Sequence, residues 1–118
     1  MIVTPTKNLS ILELKQAFET LDEIRLAVLF GSRATGSAHP FSDYDFGVVI
    51  ENEDPWTFGR LWVEIADRLG IGDEQLDLVD LKRASEGLKK AIASGYIVLK
   101  GREDELLRLL GSDSQKSG

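Results

Sequence analysis

The stretch Leu29-Phe30-Gly31-Ser32-Arg33-Ala34-Thr35-Gly36-Ser37-Ala38-His39-Pro40-Phe41-Ser42-Asp43-Tyr44-Asp45-Phe46-Gly47-Val48-Val49-Ile50 decides the fold. It opens on the end of an apolar run, Arg25 to Phe30, that reads as a strand. Gly31 and Ser32 turn the chain into a segment rich in glycine and serine, with Pro40 near its end. Asp43 to Ile50 then reads as a second strand. Side chains alternate across a strand, so Tyr44, Phe46, Val48 and Ile50 share one face, and their apolarity makes it the core face. Asp43 and Asp45 project from the other face, together with Gly47.

Working outward, Ser10-Ile11-Leu12-Glu13 forms a capping box ahead of a helix whose apolar stripe is Ile11, Leu14, Phe18 and Leu21. Downstream, Trp56 to Leu69 is the clearest helix: Asp54 caps it, Pro55 takes its first position and Gly70 follows its end. Phe58, Leu61, Trp62, Ile65, Ala66 and Leu69 mark its buried face. Leu76 to Leu81 reads as a third strand, Ala84 to Ser94 as a helix, Tyr96 to Leu99 as a short strand and Glu103 to Leu110 as a last helix. The expected architecture is a mixed α/β (α+β) domain, residues 1–110, with helices covering one face of a small mixed sheet. The polar tail, residues 111–118, is expected to be disordered.

Composition narrows the chemistry. A chain of 118 residues with 42% apolar and 29% charged residues suits one soluble domain. It has no cysteine and one histidine, which excludes disulfide scaffolds, zinc–thiolate sites, cysteine nucleophiles and two-histidine mechanisms. Its net charge of −6 argues against a broad basic face for direct nucleic-acid binding. No apolar run approaches a membrane span, and the N-terminal residues lack a basic segment followed by an apolar one. A cytoplasmic protein with no membrane contact is expected, and its chemistry must come from Asp, Glu, Ser, Lys and Arg.

Asp77 has the opposite parity to Leu76 and Leu78, so it shares the non-core face with Asp43 and Asp45. If the two strands are neighbours, three carboxylates converge there. Asp is depleted in strands and like charges on adjacent strands repel, so such a cluster calls for a compensating cation. A hard divalent ion is the natural one, and Mg²⁺ is typically held by one or two carboxylates plus substrate phosphates. A pair of such ions stabilises both the attacking and the leaving oxygens of a phosphoryl displacement. Gly31 and Ser32 supply a turn whose amides and hydroxyl suit a phosphate. Asp80 has the wrong parity and reads as a cap for the next element.

Gly31-Ser32, ten intervening residues, and then Asp43-Tyr44-Asp45 resemble the nucleotidyltransferase signature of the DNA polymerase β-like superfamily. With Asp77 as third carboxylate and so short a chain, the sequence resembles the minimal nucleotidyltransferase (MNT) family, over roughly residues 9 to 110. The resemblance implies the polymerase β-like nucleotidyltransferase fold and Mg²⁺-dependent transfer of a nucleoside monophosphate from an NTP, ATP being the usual donor. It implies that Asp43 and Asp45 ligate the ions that hold the triphosphate. Asp77 then ligates the catalytic ion and serves the acceptor hydroxyl, Gly31 and Ser32 bind the terminal phosphates, and Arg33 beside them is a further candidate for phosphate or for solvent. It also implies an antitoxin that attaches AMP to a tyrosine of a HEPN-type toxin. The alternatives are nucleotidyl transfer to a small molecule such as an aminoglycoside, and a non-catalytic antitoxin that blocks its partner sterically.

Four other features read more simply. His39 is a polar loop residue, Trp62 belongs with the core, and Trp56 is expected to be buried at the helix start. Lys82, Arg83, Lys89 and Lys90 form a solvated helix face.

Overall fold

The computed structural model describes residues 5–52 and 54–111. The tail beyond Gly111 lies outside them. In chain order the elements are α1 (Ile11–Glu19), β1 (Ile24–Phe30), α2 (Ser32–Thr35), β2 (Tyr44–Ile50), α3 (Pro55–Leu69), β3 (Leu76–Asp80), α4 (Glu86–Ala93), β4 (Tyr96–Lys100) and α5 (Glu103–Leu109), with 3₁₀ turns at Asp73–Gln75 and Leu81–Arg83. The short α2 and the two 3₁₀ turns are additions to the elements read from periodicity, because they are too brief to carry a period.

Local chemistry accounts for the boundaries. Ser10 and Glu13 close a reciprocal capping box at the start of α1. The Asp54 carboxylate accepts the amides of Trp56 and Thr57, Pro55 occupies the first turn, and Gly70 ends α3 in the left-handed conformation. Asp80 caps the turn that follows β3, its Oδ1 accepting the Lys82 amide at 3.0 Å.

The sheet has four strands in the order β3-β2-β1-β4. β1 runs antiparallel to β2 and to β4, whereas β2 and β3 are parallel, joined by the α3 crossover. One face packs under α1 and α3, with Phe18, Tyr44, Phe46, Val48, Leu61 and Ile65 at its centre.

The mixed α/β class stands, with one refinement to the expected single-faced cover. Leu26, Val28, Phe30 and Val49 face the opposite way and form a second, smaller core with Leu81, Ile92 and Leu106. β1 is therefore covered on both faces, which is why Leu26 to Phe30 is a continuous apolar run rather than an alternating one. A register shift between Ile24 and Leu26 lets Ile24 and Ala27, three positions apart, both reach the larger core. The face that carries the aspartates is thus closed further along the sheet by Leu81, Ile92 and Leu106.

Trp56 departs from expectation: it is 86% exposed. Thr57, Leu61 and Ile65 define the inward line of α3, and Trp56 is rotated about 100° from Thr57. Trp62 sits at the margin of the core, half-buried.

Candidate active site

β2 and β3 run parallel in a register that sets Asp45 directly beside Asp77, one strand spacing of about 4.8 Å apart. Asp43 lies just before β2 and is exposed, as is Asp77, while Asp45 is half-buried. Asp45 and Asp77 are thus set side by side, and Asp43 lies close enough for its charge to act on Asp45. Burial pushes the Asp45 carboxyl above the ordinary aspartate range, and the charges of Asp77 and then Asp43 push it the same way.

Gly31 closes the site from the side of β1. Phe30 pairs with Asp45, so the chain leaves β1 beside that carboxylate. Gly31 turns there with φ 77° and ψ −160°, a conformation that only glycine adopts without strain. A methyl group at Gly31 would also collide with Asp45 Oδ2. The Gly-Ser pair thus serves Asp45 as well as any phosphate. Beyond it, Ser32 begins α2, whose first amides, like those of every helix, have no partner inside the helix.

Arg33 makes contacts that its sequence position did not suggest. Its Nε and an Nη donate to the Ser42 carbonyl at 3.1 and 2.9 Å, and the guanidinium lies 4.4 Å from the centre of the Tyr44 ring. It is a clamp between α2 and the residue preceding Asp43. The loop itself is a closed turn: the Ser42 amide donates to the His39 carbonyl, the His39 amide to Ser42 Oγ, and the Phe41 amide to His39 Nδ1. His39 is accounted for as a turn residue.

Tyr44 was legible only as a core residue. Its ring is fully buried, and its hydroxyl donates to the Lys7 carbonyl while accepting the Leu9 amide, each at 2.8 Å. The Thr6 amide donates to the Pro40 carbonyl at 2.8 Å. The N-terminal segment is thereby tied to the loop that carries Asp43. A buried tyrosine needs a partner for its hydroxyl, and that need was the available signal.

No hydrogen bond or ion pair among the described residues satisfies the three carboxylates. Nor do any three acidic, histidine or cysteine side chains among those residues close around a point as a ready-made metal cage. Uncompensated carboxylates of this kind fit a hard ion that takes its remaining ligands from water and substrate phosphates.

Two predictions arise here. In metal-free buffer, Asp45→Asn is expected to stabilise the protein, by up to about 1 kcal/mol for relief of like charges facing across a sheet. Because the folded-state pKa of Asp45 is raised, the folded chain binds its proton more tightly than the unfolded chain does. Its contribution to stability is present below the ordinary value of 3.8 and declines as pH rises through the raised one. Urea unfolding of wild type and Asp45→Asn at stepped pH should therefore diverge upward from that value and run parallel at neutral pH. Second, Arg33→Lys is expected to lose the two-pronged hold on Ser42. Hydrogen exchange at the Ser42 amide, which donates to the His39 carbonyl, should quicken about tenfold or more, whereas a lysine that left that amide protected would mean that the clamp is dispensable.

The family described as polymerase beta, nucleotidyltransferase matches residues 13–105. No curated protein shows significant sequence similarity to the chain. Among solved structures, a toxin–antitoxin with AMP-PNP is similar at 23% identity and a TM-score of 0.69, covering 92% of this chain and 87% of that one. The MntA-HepT toxin–antitoxin is similar at 20% identity and a TM-score of 0.63, with 92% and 86% covered. A complex of the tri-AMPylated Shewanella oneidensis HEPN toxin with MNT antitoxin is similar at 22% identity and a TM-score of 0.61, with 88% and 86% covered. With the family match spanning most of the sequence and running through both aspartate strands, the chain belongs to the polymerase beta nucleotidyltransferase family.

Proposed function

We propose that this nucleotidyltransferase transfers AMP from ATP to a tyrosine hydroxyl of a HEPN-type toxin, as the antitoxin of a toxin–antitoxin pair. The observation that carries the chemistry is the β2–β3 register, which sets Asp45 beside Asp77 with no hydrogen bond or ion pair among the described residues to offset them. The acceptor class is supported by the similar structures, which are toxin–antitoxin complexes, one with AMP-PNP and one with an AMPylated HEPN toxin.

Asp43, Asp45 and Asp77 would hold Mg²⁺, in two ions shared with the triphosphate. When bound, Mg²⁺ neutralises charge on the phosphate oxygens and on the departing pyrophosphate. The chain's own residues do the rest. Gly31 holds the backbone against Asp45, and Ser32 offers its amide and hydroxyl to the terminal phosphates. Arg33 supports Asp43 through the Ser42 carbonyl. Asp77, at the outer side of the site, orients the acceptor hydroxyl and receives its hydrogen. The acceptor oxygen bonds to the α-phosphorus, the bond from that phosphorus to the bridging oxygen breaks, and pyrophosphate leaves.

The test mixes the protein with ATP, Mg²⁺ and the HEPN-type protein encoded by the neighbouring gene, then weighs that protein intact. The expected result is a mass gain of one or more AMP units, mapped to tyrosine. An unmodified but inhibited partner would establish steric blocking instead. Absence of a HEPN-type neighbour, with nucleotidylation of a small hydroxylated compound, would establish the small-molecule reading.

A further inference from the structure

Ser32 can meet a phosphate in one place only if the short helix that it begins is held still. α2 spans four residues, Ser32–Thr35, and none of them is buried. It lies against β1 and β4. Arg33 ties one side of it to the Ser42 carbonyl. Thr35, at its other end, meets the start of β4 at Gly95.

The sheet register explains why β4 begins there. Phe30 pairs with Asp45 on one side and with Tyr96 on the other, and Asp45 pairs with Asp77. Asp77, Asp45, Phe30 and Tyr96 therefore form one row across the four strands. Continuing the β1–β4 register one step brings Gly95 level with Gly31, where α2 departs.

Gly95 is not there for its backbone. A glycine just past a helix end ordinarily serves a left-handed conformation. Among the described residues that conformation belongs to Gly31, Gly36, Gly70, Gly101 and Gly111, and not to Gly95. Space is what excludes a side chain. A β-carbon at Gly95 would stand 2.5 Å from Thr35 Cγ2. Carbons ordinarily touch at about 3.5–4.0 Å.

Thr35 cannot yield as the tip of a long side chain would, because its methyl is one bond from Cβ. Its hydroxyl also fixes its rotamer: Oγ1 lies 3.0 Å from Ser37 Oγ and donates to the Gly31 carbonyl at 3.4 Å. The Thr35 amide donates to the same carbonyl at 3.2 Å. A push on Thr35 is thereby passed to Gly31 and to the turn.

We propose that Gly95 is a positioning residue for the triphosphate: its missing side chain lets Thr35 seat against β4, and that seat sets where the Gly31-Ser32 turn stands. The inference rests on the assignment of the terminal phosphates to that turn, made above, and adds what holds the turn in place.

The test measures the Kd of ATP with Mg²⁺ by calorimetry, and the melting temperature without nucleotide. It compares wild type, Gly95→Ala, Thr35→Ser and the double variant. Gly95→Ala should weaken Mg-ATP binding about tenfold or more, as expected when a hydrogen bond to a charged phosphate is misplaced. Thr35→Ser deletes the obstructing methyl and keeps the hydroxyl. The next atom, Thr35 Cβ, stands 3.9 Å from the added carbon, an ordinary contact. In the Thr35→Ser background the same alanine should therefore change the Kd by less than about threefold. An unchanged Kd in Gly95→Ala, an equal loss in both backgrounds, or failure of Gly95→Ala to fold would overturn the positioning role. Wild-type binding of Mg-ATP would leave the function standing in each case. Wild type that binds no Mg-ATP overturns the phosphate assignment, and the positioning role with it.

Discussion

Asp77→Ala is expected to lower AMP transfer by about a thousandfold or more while the protein still binds Mg-ATP. A group that acts on the acceptor contributes in the transition state, so its loss falls on kcat more than on nucleotide affinity. In the proposed assignment Asp45 and Asp43 would remain to hold the metal–triphosphate, and Asp77 stands on the outer, edge strand of the pair. Two measurements check this. The melting temperature of Asp77→Ala should still rise clearly with Mg²⁺ and ATP together, since a ligand that binds only the folded state stabilises it by mass action. The mass of the HEPN-type partner should stay unchanged over times at which wild type modifies it fully. In Asp43→Asn with Asp45→Asn the opposite order is expected, with the Mg-ATP stabilisation lost first. If Asp77→Ala abolished nucleotide stabilisation while the double variant kept it, the division of labour between the strands would be reversed.

Gly31→Ala is expected to destabilise the fold strongly. The left-handed backbone there disfavours any side chain, at about 1–3 kcal/mol. The added carbon would also meet the Asp45 carboxylate. For a domain of this size each kcal/mol lowers the melting temperature by roughly 4–8 °C, so a fall of about 10 °C or more is expected. Removing the obstacle separates the two causes. In an Asp45→Ala background the steric part should vanish and the backbone part remain, so the two substitutions should cost less together than the sum of their separate effects. Strict additivity would show that Gly31 is needed for its φ alone.

Much of this is readable from the sequence, and the reasons are physical. Parity along a strand is fixed at two, so the apolar residues between Asp43, Asp45 and Asp77 determine which way those carboxylates face. The capping box at Ser10 and the Asp54-Pro55 start of α3 are local chemistry and appear where expected. What escapes are features decided by contacts distant in sequence. Arg33 stands next to the Gly31-Ser32 turn, and its hydrogen bonds to the Ser42 carbonyl, nine residues away, could not be read from its place in the sequence. Size alone places Trp56 in the interior, but the phase of α3 is set by Thr57, Leu61 and Ile65. The second core is hidden because Gly47 and Val49 share the aspartates' parity, and only the return of Leu81, Ile92 and Leu106 to that face shows that it is closed.

The register shift near the start of β1 has a consequence for how this sequence tolerates change in length. Upstream of it, between α1 and Ile24, a residue gained or lost can be taken up by the bulge, because the strand already changes phase there. Between Leu26 and Phe30 the pairing with β2 has no such slack, and the second shift, between Ala27 and Val28, interrupts only the pairing with β4. A single insertion or deletion would exchange the two faces of the strand and carry Gly31 to the wrong side of Asp45. Natural variation in length should therefore be found before the bulge and be absent from the five residues after it, which makes that short segment the measuring rule of the site.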